Sequence, residues 1–198
     1  MEEDFRSITI SRRGRRKPVK VLHNPTPYQM IGRGEQGAVF KLSSDKCVKI
    51  YLKQRNRKSE EDVLRDAQNS TFFPTIYEAG SNYIVMEYIH GQFLDEYLVN
   101  KEEIPEAITE QILSLYKEMR RLNFTRYDVM MRHILVTADE KIKMIDHVTS
   151  RRKKGKQPTR LCNELYQLGL LHSFARQLQE KDKKTYNKWK KTIRKYIS

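Results

Sequence analysis

Cysteine is scarce: the chain of 198 residues has two, Cys47 and Cys162. They lie far apart and without metal-ligand spacing, so neither a disulfide framework nor a zinc cluster organises the fold, and the pattern fits a reducing compartment. Long apolar runs are missing too. None exceeds five residues, against the ~20 that a membrane-spanning helix needs. The first residues, Met1-Glu2-Glu3-Asp4, are acidic and no apolar segment follows them, so a secretory leader is not expected. No internal repeat or low-complexity tract is visible. The expectation is a soluble, cytoplasmic chain without a transmembrane segment.

What the chain does contain is positive charge, 39 Lys and Arg against 25 Asp and Glu, for a formal net charge of +14. A hydrophobic content of 38% and an aromatic content of 10% exclude collagen-like and wholly disordered classes. The length suffices for one domain or two small lobes with a core. The charge is local. Residues 12–20, 53–58, 151–160 and 181–195 hold 24 of the 39 basic residues, and their one acid is Asp182. The rest of the chain is acidic on balance. Such charge suits nucleic acid, an anionic membrane or phosphorylated ligands.

Residues 1–18 are polar and basic, and read as a mobile arm ending at Pro18. Runs rich in Val, Ile and Tyr follow at 19–22, 28–31, 38–42, 47–52 and 83–88, bounded by Asn, Gly, Ser and Asp. They predict a mostly antiparallel sheet, with one helix near 59–69. Beyond Ile89-His90-Gly91 the pattern turns helical. Ile108, Ile112, Leu115, Met119 and Leu122 form one stripe, with Pro105 near its start, where its missing donor is harmless. Two short strands, 133–136 and 142–145, come next. One helix is predicted from the apolar series Leu161 to Leu178, and a last one after the cap Asp182. The organisation is thus an arm (1–18), a β-rich half (19–89) and a helical half (90–198), with a cleft expected between the halves as a ligand site.

Chemistry gathers at a few positions. Gly32-Arg33-Gly34-Glu35-Gln36-Gly37-Ala38-Val39 has the form G-x-G-x-x-G-x-V. A dinucleotide-binding loop would lead into a helix, whereas 38–42 reads as a strand. This is a strand–turn–strand in which glycine permits close approach to a phosphate chain and offers backbone N–H groups. A plain glycine-rich hairpin is the alternative. Lys49 follows inside an apolar strand, where an unpaired charge is costly. It is either an edge lysine facing water or a buried one held by a carboxylate. Glu60, Glu61 and Asp62 are the candidates, and Glu60 is favoured because it precedes Leu64 by four residues. Asp128 and Asp146, 18 residues apart, bracket the 133–145 hairpin and can converge on one metal–phosphate site. A single such Asp is more often a turn former.

In this order the residues resemble a protein kinase: glycine loop, strand lysine, helix glutamate, hinge, catalytic Asp, metal Asp. The match runs from about Ile31 to His147. The resemblance implies an α+β, bilobal protein kinase-like fold with a β-rich N-lobe and a truncated helical C-lobe. It implies ATP and Mg²⁺ or Mn²⁺ as cofactors. Gly32, Gly34, Gly37 and Val39 would cover the nucleotide, and Lys49, paired with Glu60, would hold its α- and β-phosphates. Met86 would stand behind adenine, and the backbone of Glu87 and Ile89 would bond its edge. Asp128 would accept the substrate proton and Asp146 would ligate the metal.

The loop departs from the family pattern. Arg126-Tyr127 replaces His-Arg, Met130 replaces the usual lysine, His133 replaces the second metal ligand, and Asp146-His147-Val148 lacks the usual Phe and Gly. Arg132 is the expected substitute cation, and His133 a metal ligand that favours Mn²⁺. Only 52 residues follow Asp146, and no long activation segment is visible. In this the chain is similar to the RIO and KEOPS-type atypical kinases and to short bacterial Ser/Thr kinases. The implied activity is a Ser/Thr protein kinase acting on a protein or on itself, with Ser150 and Thr159 as acceptors. Two alternatives stand beside it: a pseudokinase scaffold that binds nucleotide without turnover, and an RNA-associated kinase-like protein using the C-terminal lysines and Tyr186, Trp189 and Tyr196 for stacking, although an amphipathic helix that packs these aromatics into the core with its lysines solvated is the favoured reading of that segment.

Overall fold

Short β-branched runs separated by Gly, Asn and Ser become strand in the first part of the computed structural model, which describes residues 4–12, 14, 16–152 and 154–197. The chain divides into two compact units. One is built from the chain up to Asn69 with Phe73–Ile89, the other from Ser70–Phe72 with the chain from His90 onward. Ser70–Phe72 joins the second unit because the Phe72 carbonyl accepts the Met144 N–H at 2.7 Å.

In the first unit, β1 (Thr9–Ser11) pairs antiparallel with β2 (Lys20–His23). The main sheet comprises β3 (Met30–Arg33), β4 (Gly37–Lys41), β5 (Lys46–Tyr51), β6 (Ile76–Ala79) and β7 (Tyr83–Glu87). It is antiparallel throughout, in the order β3-β4-β5-β7-β6. Side chains alternate between faces. The register puts Ala38, Ile50 and Tyr83 on one face together with Phe40, Val48 and Val85, and Val39, Lys49 and Ile84 on the other. Over its described residues the segment 1–18, expected as an arm, packs on the sheet. Ile8 is buried with Val19 against the first face, and Phe5 and Ile10 pack beside them. An apolar sheet face needs a cover, and three hydrophobes spaced among the charges of the arm provide it. Arg13, Arg15 and Lys153 of the basic stretches lie outside the described residues.

Helix α1 spans Gln54–Asp66 and buries Glu60, Val63 and Leu64. It starts earlier than periodicity predicts. Its first turn has no apolar residue, and Glu61, bonded to both Arg57 and Arg65, carries it by i,i+4 pairing.

The second unit opens with β8 (Gly91–Phe93) and α2 (Leu94–Leu98), both too short to show a period in sequence. Helix α3 (Glu106–Arg121) buries the predicted stripe. β9 (Ile134–Thr137) and β10 (Ile142–Met144) form the expected hairpin, completed by β8 in the order β10-β9-β8. The single helix expected over 161–178 is two, α4 (Thr159–Gln167) and α5 (Leu171–Lys181). Gly169 breaks it at φ +75°. The Leu170 N–H reaches back to the Leu165 carbonyl at 2.8 Å and the Gly169 N–H to the Tyr166 carbonyl, which is a Schellman stop. Asp182 caps α6 (Lys183–Ile197), accepting the Thr185 N–H at 2.9 Å. Trp189 is buried, with its ring edge-on to Tyr116 at 4.7 Å, so it is core and not a base-stacking platform. Among the described residues no helix is long and apolar enough to cross a membrane.

Candidate active site

The candidate residues fall in both units. In the first, the β3–β4 connection carries the glycine motif. Gly37 is demanded by the protein itself: a Cβ there would lie 2.1 Å from the Ile50 carbonyl oxygen, whereas one at Gly32 or Gly34 would meet nothing within 4 Å. The Gly34 N–H is spent inside the loop, donating to the Gly37 carbonyl at 2.9 Å, so this amide is not one of the donors the loop was expected to offer. The three glycines therefore separate by experiment. Gly37→Ala is expected to lower the urea midpoint by displacing β5. Gly34→Ala is expected to leave that midpoint unchanged and to weaken nucleotide binding, measured by equilibrium fluorescence titration.

Lys49 lies on β5 between Val39 and Ile84. Its Nζ is 2.6 Å from Glu60 Oε2, and the same oxygen accepts the Tyr51 hydroxyl at 2.8 Å. Glu60 is 1% exposed. Helix periodicity turns it inward beside Val63 and Leu64, while Glu61 faces Arg57 and Arg65. Met86 is buried in β7 opposite Cys47. The Glu87 carbonyl faces the Cys47 thiol at 3.6 Å, and its N–H donates to Thr75. Burial pushes that thiol up to about 12, so it stays protonated. Ile89 is buried where the first unit ends.

In the second unit Arg126, Asp128, His133, Asp146, Thr149 and Ser150 line one small, partly open pocket. Asp146 follows β10 with φ +64°, a left-handed conformation that Asp adopts more readily than most residues. The Ile145 N–H donates to the His133 carbonyl at 2.8 Å, and His133 Nε2 lies 3.9 Å from Asp146 Oδ2. Burial lowers the His133 imidazole to about 4, against the opposing pull of Asp146, so the ring is neutral at pH 7. His147 is buried under the loop, its Nε2–H donating to the Met144 carbonyl at 2.9 Å. It fills the position where the kinase pattern has Phe.

Asp128 is held by a residue of α4. Its Oδ1 accepts the Arg160 N–H at 2.8 Å and its Oδ2 lies 3.2 Å from Arg160 Nε. Arg132, the expected substitute cation, is exposed on the 3-10 turn Met131–His133. Glu164 from α4 steadies that turn by accepting the Met131 N–H at 2.6 Å, and burial raises its carboxyl. Ser150 is 4% exposed and its carbonyl accepts the N–H groups of Thr125 and Arg126. It is thus built into the loop and not presented as an acceptor. Thr159 is half-buried at the start of α4. Arg160 had no sequence signal, since only folding brings it to a residue 32 positions earlier.

The donor set for a divalent cation is one carboxylate and one neutral imidazole, with Asp128 on the same pocket. No group of three or more His, Cys, Asp or Glu converges for a metal among the described residues. Two protein ligands suit an ion whose remaining positions are filled by water and phosphate oxygens.

A sequence model of the ABC1 atypical kinase-like domain matches residues 54–181. The chain belongs to this family, and so to the protein kinase-like superfamily. The match begins after the glycine loop and Lys49. A curated relative from Bacillus subtilis (strain 168), "Putative serine/threonine-protein kinase YrzF", is 25% identical over 132 residues, covering 64% of this chain and 61% of that one. A solved structure of WbdD with the kinase inhibitor LY294002 matches with a TM-score of 0.50 at 19% identity, over 76% of this chain and 37% of WbdD. The chain therefore spans less than two thirds of either protein. WbdD bears on fold alone, and it agrees with the small bilobal kinase-like architecture. At the level the family supports, the chain is kinase-like, of a class that uses ATP and a divalent cation.

Proposed function

We propose that this chain is an ATP-dependent phosphotransferase that acts on a Ser or Thr hydroxyl of a protein. The observation that carries the reading is that Asp128, His133 and Asp146 line one pocket, in a chain whose family is kinase-like. The buried Lys49–Glu60 pair supports it.

In this reading the substrate hydroxyl oxygen bonds to the γ-phosphorus, the bond to the β–γ bridging oxygen breaks, and ADP leaves. The hydroxyl proton passes to the Asp128 carboxylate. Lys49 holds the α- and β-phosphates, oriented by Glu60. Gly32, Gly34, Gly37 and Val39 cover the nucleotide, and Met86, Glu87 and Ile89 receive adenine. Asp146 and His133 would hold a divalent cation, which would supply neutralisation of phosphate charge. The protein supplies position and charge, which is most of what phosphoryl transfer requires.

The test is transfer of labelled γ-phosphate to protein, with phosphoamino-acid analysis, in Mg²⁺ and in Mn²⁺. Phosphoserine or phosphothreonine is the expected product. Because imidazole suits a softer ion than Mg²⁺, turnover is expected to be higher in Mn²⁺, and His133→Asn is expected to remove that preference. Turnover equal or higher in Mg²⁺ at matched concentration would show that His133 is no ligand. Bound nucleotide without transfer in either metal would establish the scaffold reading instead.

A further inference from the structure

The carboxylate of Asp128 is engaged at both oxygens by one residue, and that residue belongs to another part of the chain. Oδ1 accepts the backbone N–H of Arg160 at 2.8 Å, and Oδ2 lies 3.2 Å from its Nε. Arg160 sits in the first turn of α4, preceded by Pro158, which offers the helix no side-chain cap. Asp128 therefore satisfies an α4 amide that nothing local satisfies, while α4 fixes the direction in which Asp128 points.

The intervening segment is sewn to the same loop. Arg126 bridges Gly155, the Tyr127 N–H donates to the Gly155 carbonyl at 2.6 Å, and the Gly155 N–H returns to the Thr125 carbonyl at 3.0 Å. Arg126 Nη1 is occupied by Thr149 at 2.5 Å. Arg160 is the arginine that meets the Asp128 carboxylate.

We propose that Arg160 is the positioning residue of Asp128. The inference rests on the phosphotransferase reading. A carboxylate that accepts a hydroxyl proton must be aimed to within a few tenths of an ångström, and a free carboxylate rotates. The backbone bond takes one oxygen, and the guanidinium fixes the plane through the other. Since the clamp reaches Asp128 from beyond residue 155, the aim of the carboxylate depends on the seating of Gly155 and of the first turn of α4. The Arg160 side chain is 46% exposed, so loss of its ion pair has little effect on folding. The backbone bond from residue 160 survives any side-chain substitution except proline.

The experiment compares the full chain with Arg160→Ala and Arg160→Lys. It measures kcat and KM for ATP, the pH profile of kcat, and rescue of Arg160→Ala by millimolar guanidinium. Thermal melting of each variant is followed in parallel. Arg160→Ala is expected to lower kcat about a hundredfold, the usual cost of a misplaced catalytic group. KM for ATP and the melting midpoint are expected to stay near wild type, Arg160→Lys to recover part of the rate, and guanidinium to restore more. Full activity in Arg160→Ala would overturn the proposal. So would a loss that neither lysine nor guanidinium relieves and that tracks a lowered melting midpoint. An inactive wild type would overturn the phosphotransferase reading itself, which is a separate result.

Discussion

Asp146→Ala is expected to lower phosphoryl transfer about a thousandfold, the effect of removing one dedicated charge-stabilising group from a transfer site, or about 4 kcal/mol on the barrier. The side chain is 41% exposed, so its removal leaves no cavity, and although alanine at φ +64° costs about 1–2 kcal/mol, the fold is expected to survive. Asp146→Asn is the sharper control, because it preserves the shape of the residue at φ +64° and removes only the charge. Both variants are measured by labelled phosphate transfer and by nucleotide titration with and without divalent cation. In the proposed role, transfer falls and the cation no longer strengthens nucleotide binding. Retained transfer in both variants would place the reaction elsewhere. A parallel Asp128→Ala result needs a different control. Asp128 also satisfies an amide of α4, so Asp128→Asn, which keeps an acceptor oxygen, separates lost chemistry from a loosened helix.

The second large effect is on stability. Glu60→Ala takes the carboxylate from Lys49 and from the Tyr51 hydroxyl at once. Removing one partner of a buried pair costs about 3–5 kcal/mol, because the other charge stays buried. Such a loss is a large fraction of the about 5–15 kcal/mol that holds a domain folded. The double variant Lys49→Met/Glu60→Leu puts apolar groups of similar volume on that face and is expected to regain most of the stability. Its transfer activity is expected to be absent. Urea unfolding and phosphate transfer, read on the same three proteins, thus dissociate. If the double variant were as unstable as Glu60→Ala, the pair would be holding the fold by specific geometry. If it were active, Lys49 would not be a phosphate ligand.

Much of the architecture was legible because its signals are local. The stripe from Ile108 to Leu122, the hairpin strands on either side of residue 140 and the cap at Asp182 are read over one or two turns of chain, and all are found. The choice of Glu60 as the partner of Lys49 also came from a local rule, the i,i+4 placement beside Leu64 on the inner face. The misreadings have a common cause. Gly169 lies inside an apolar period that continues across it, and only its φ of +75° shows that the helix stops. The basic segment before Pro18 looks solvated until the apolar sheet face that needs Ile8 and Phe5 is in place. For Trp189, by contrast, the favoured reading of an aromatic packed into the core holds, with Tyr116 and Phe174 against it.

The sequence by itself determined which residue types could do phosphoryl chemistry and in what order they occur, because motif spacing is a property of the chain. Tertiary structure alone decided how they are held. It brought Arg160 to Asp128 across 32 residues, turned Ser150 inward, and set a neutral His133 beside Asp146. These depend on packing between segments distant in sequence, where burial and charge act through space and leave no period along the chain.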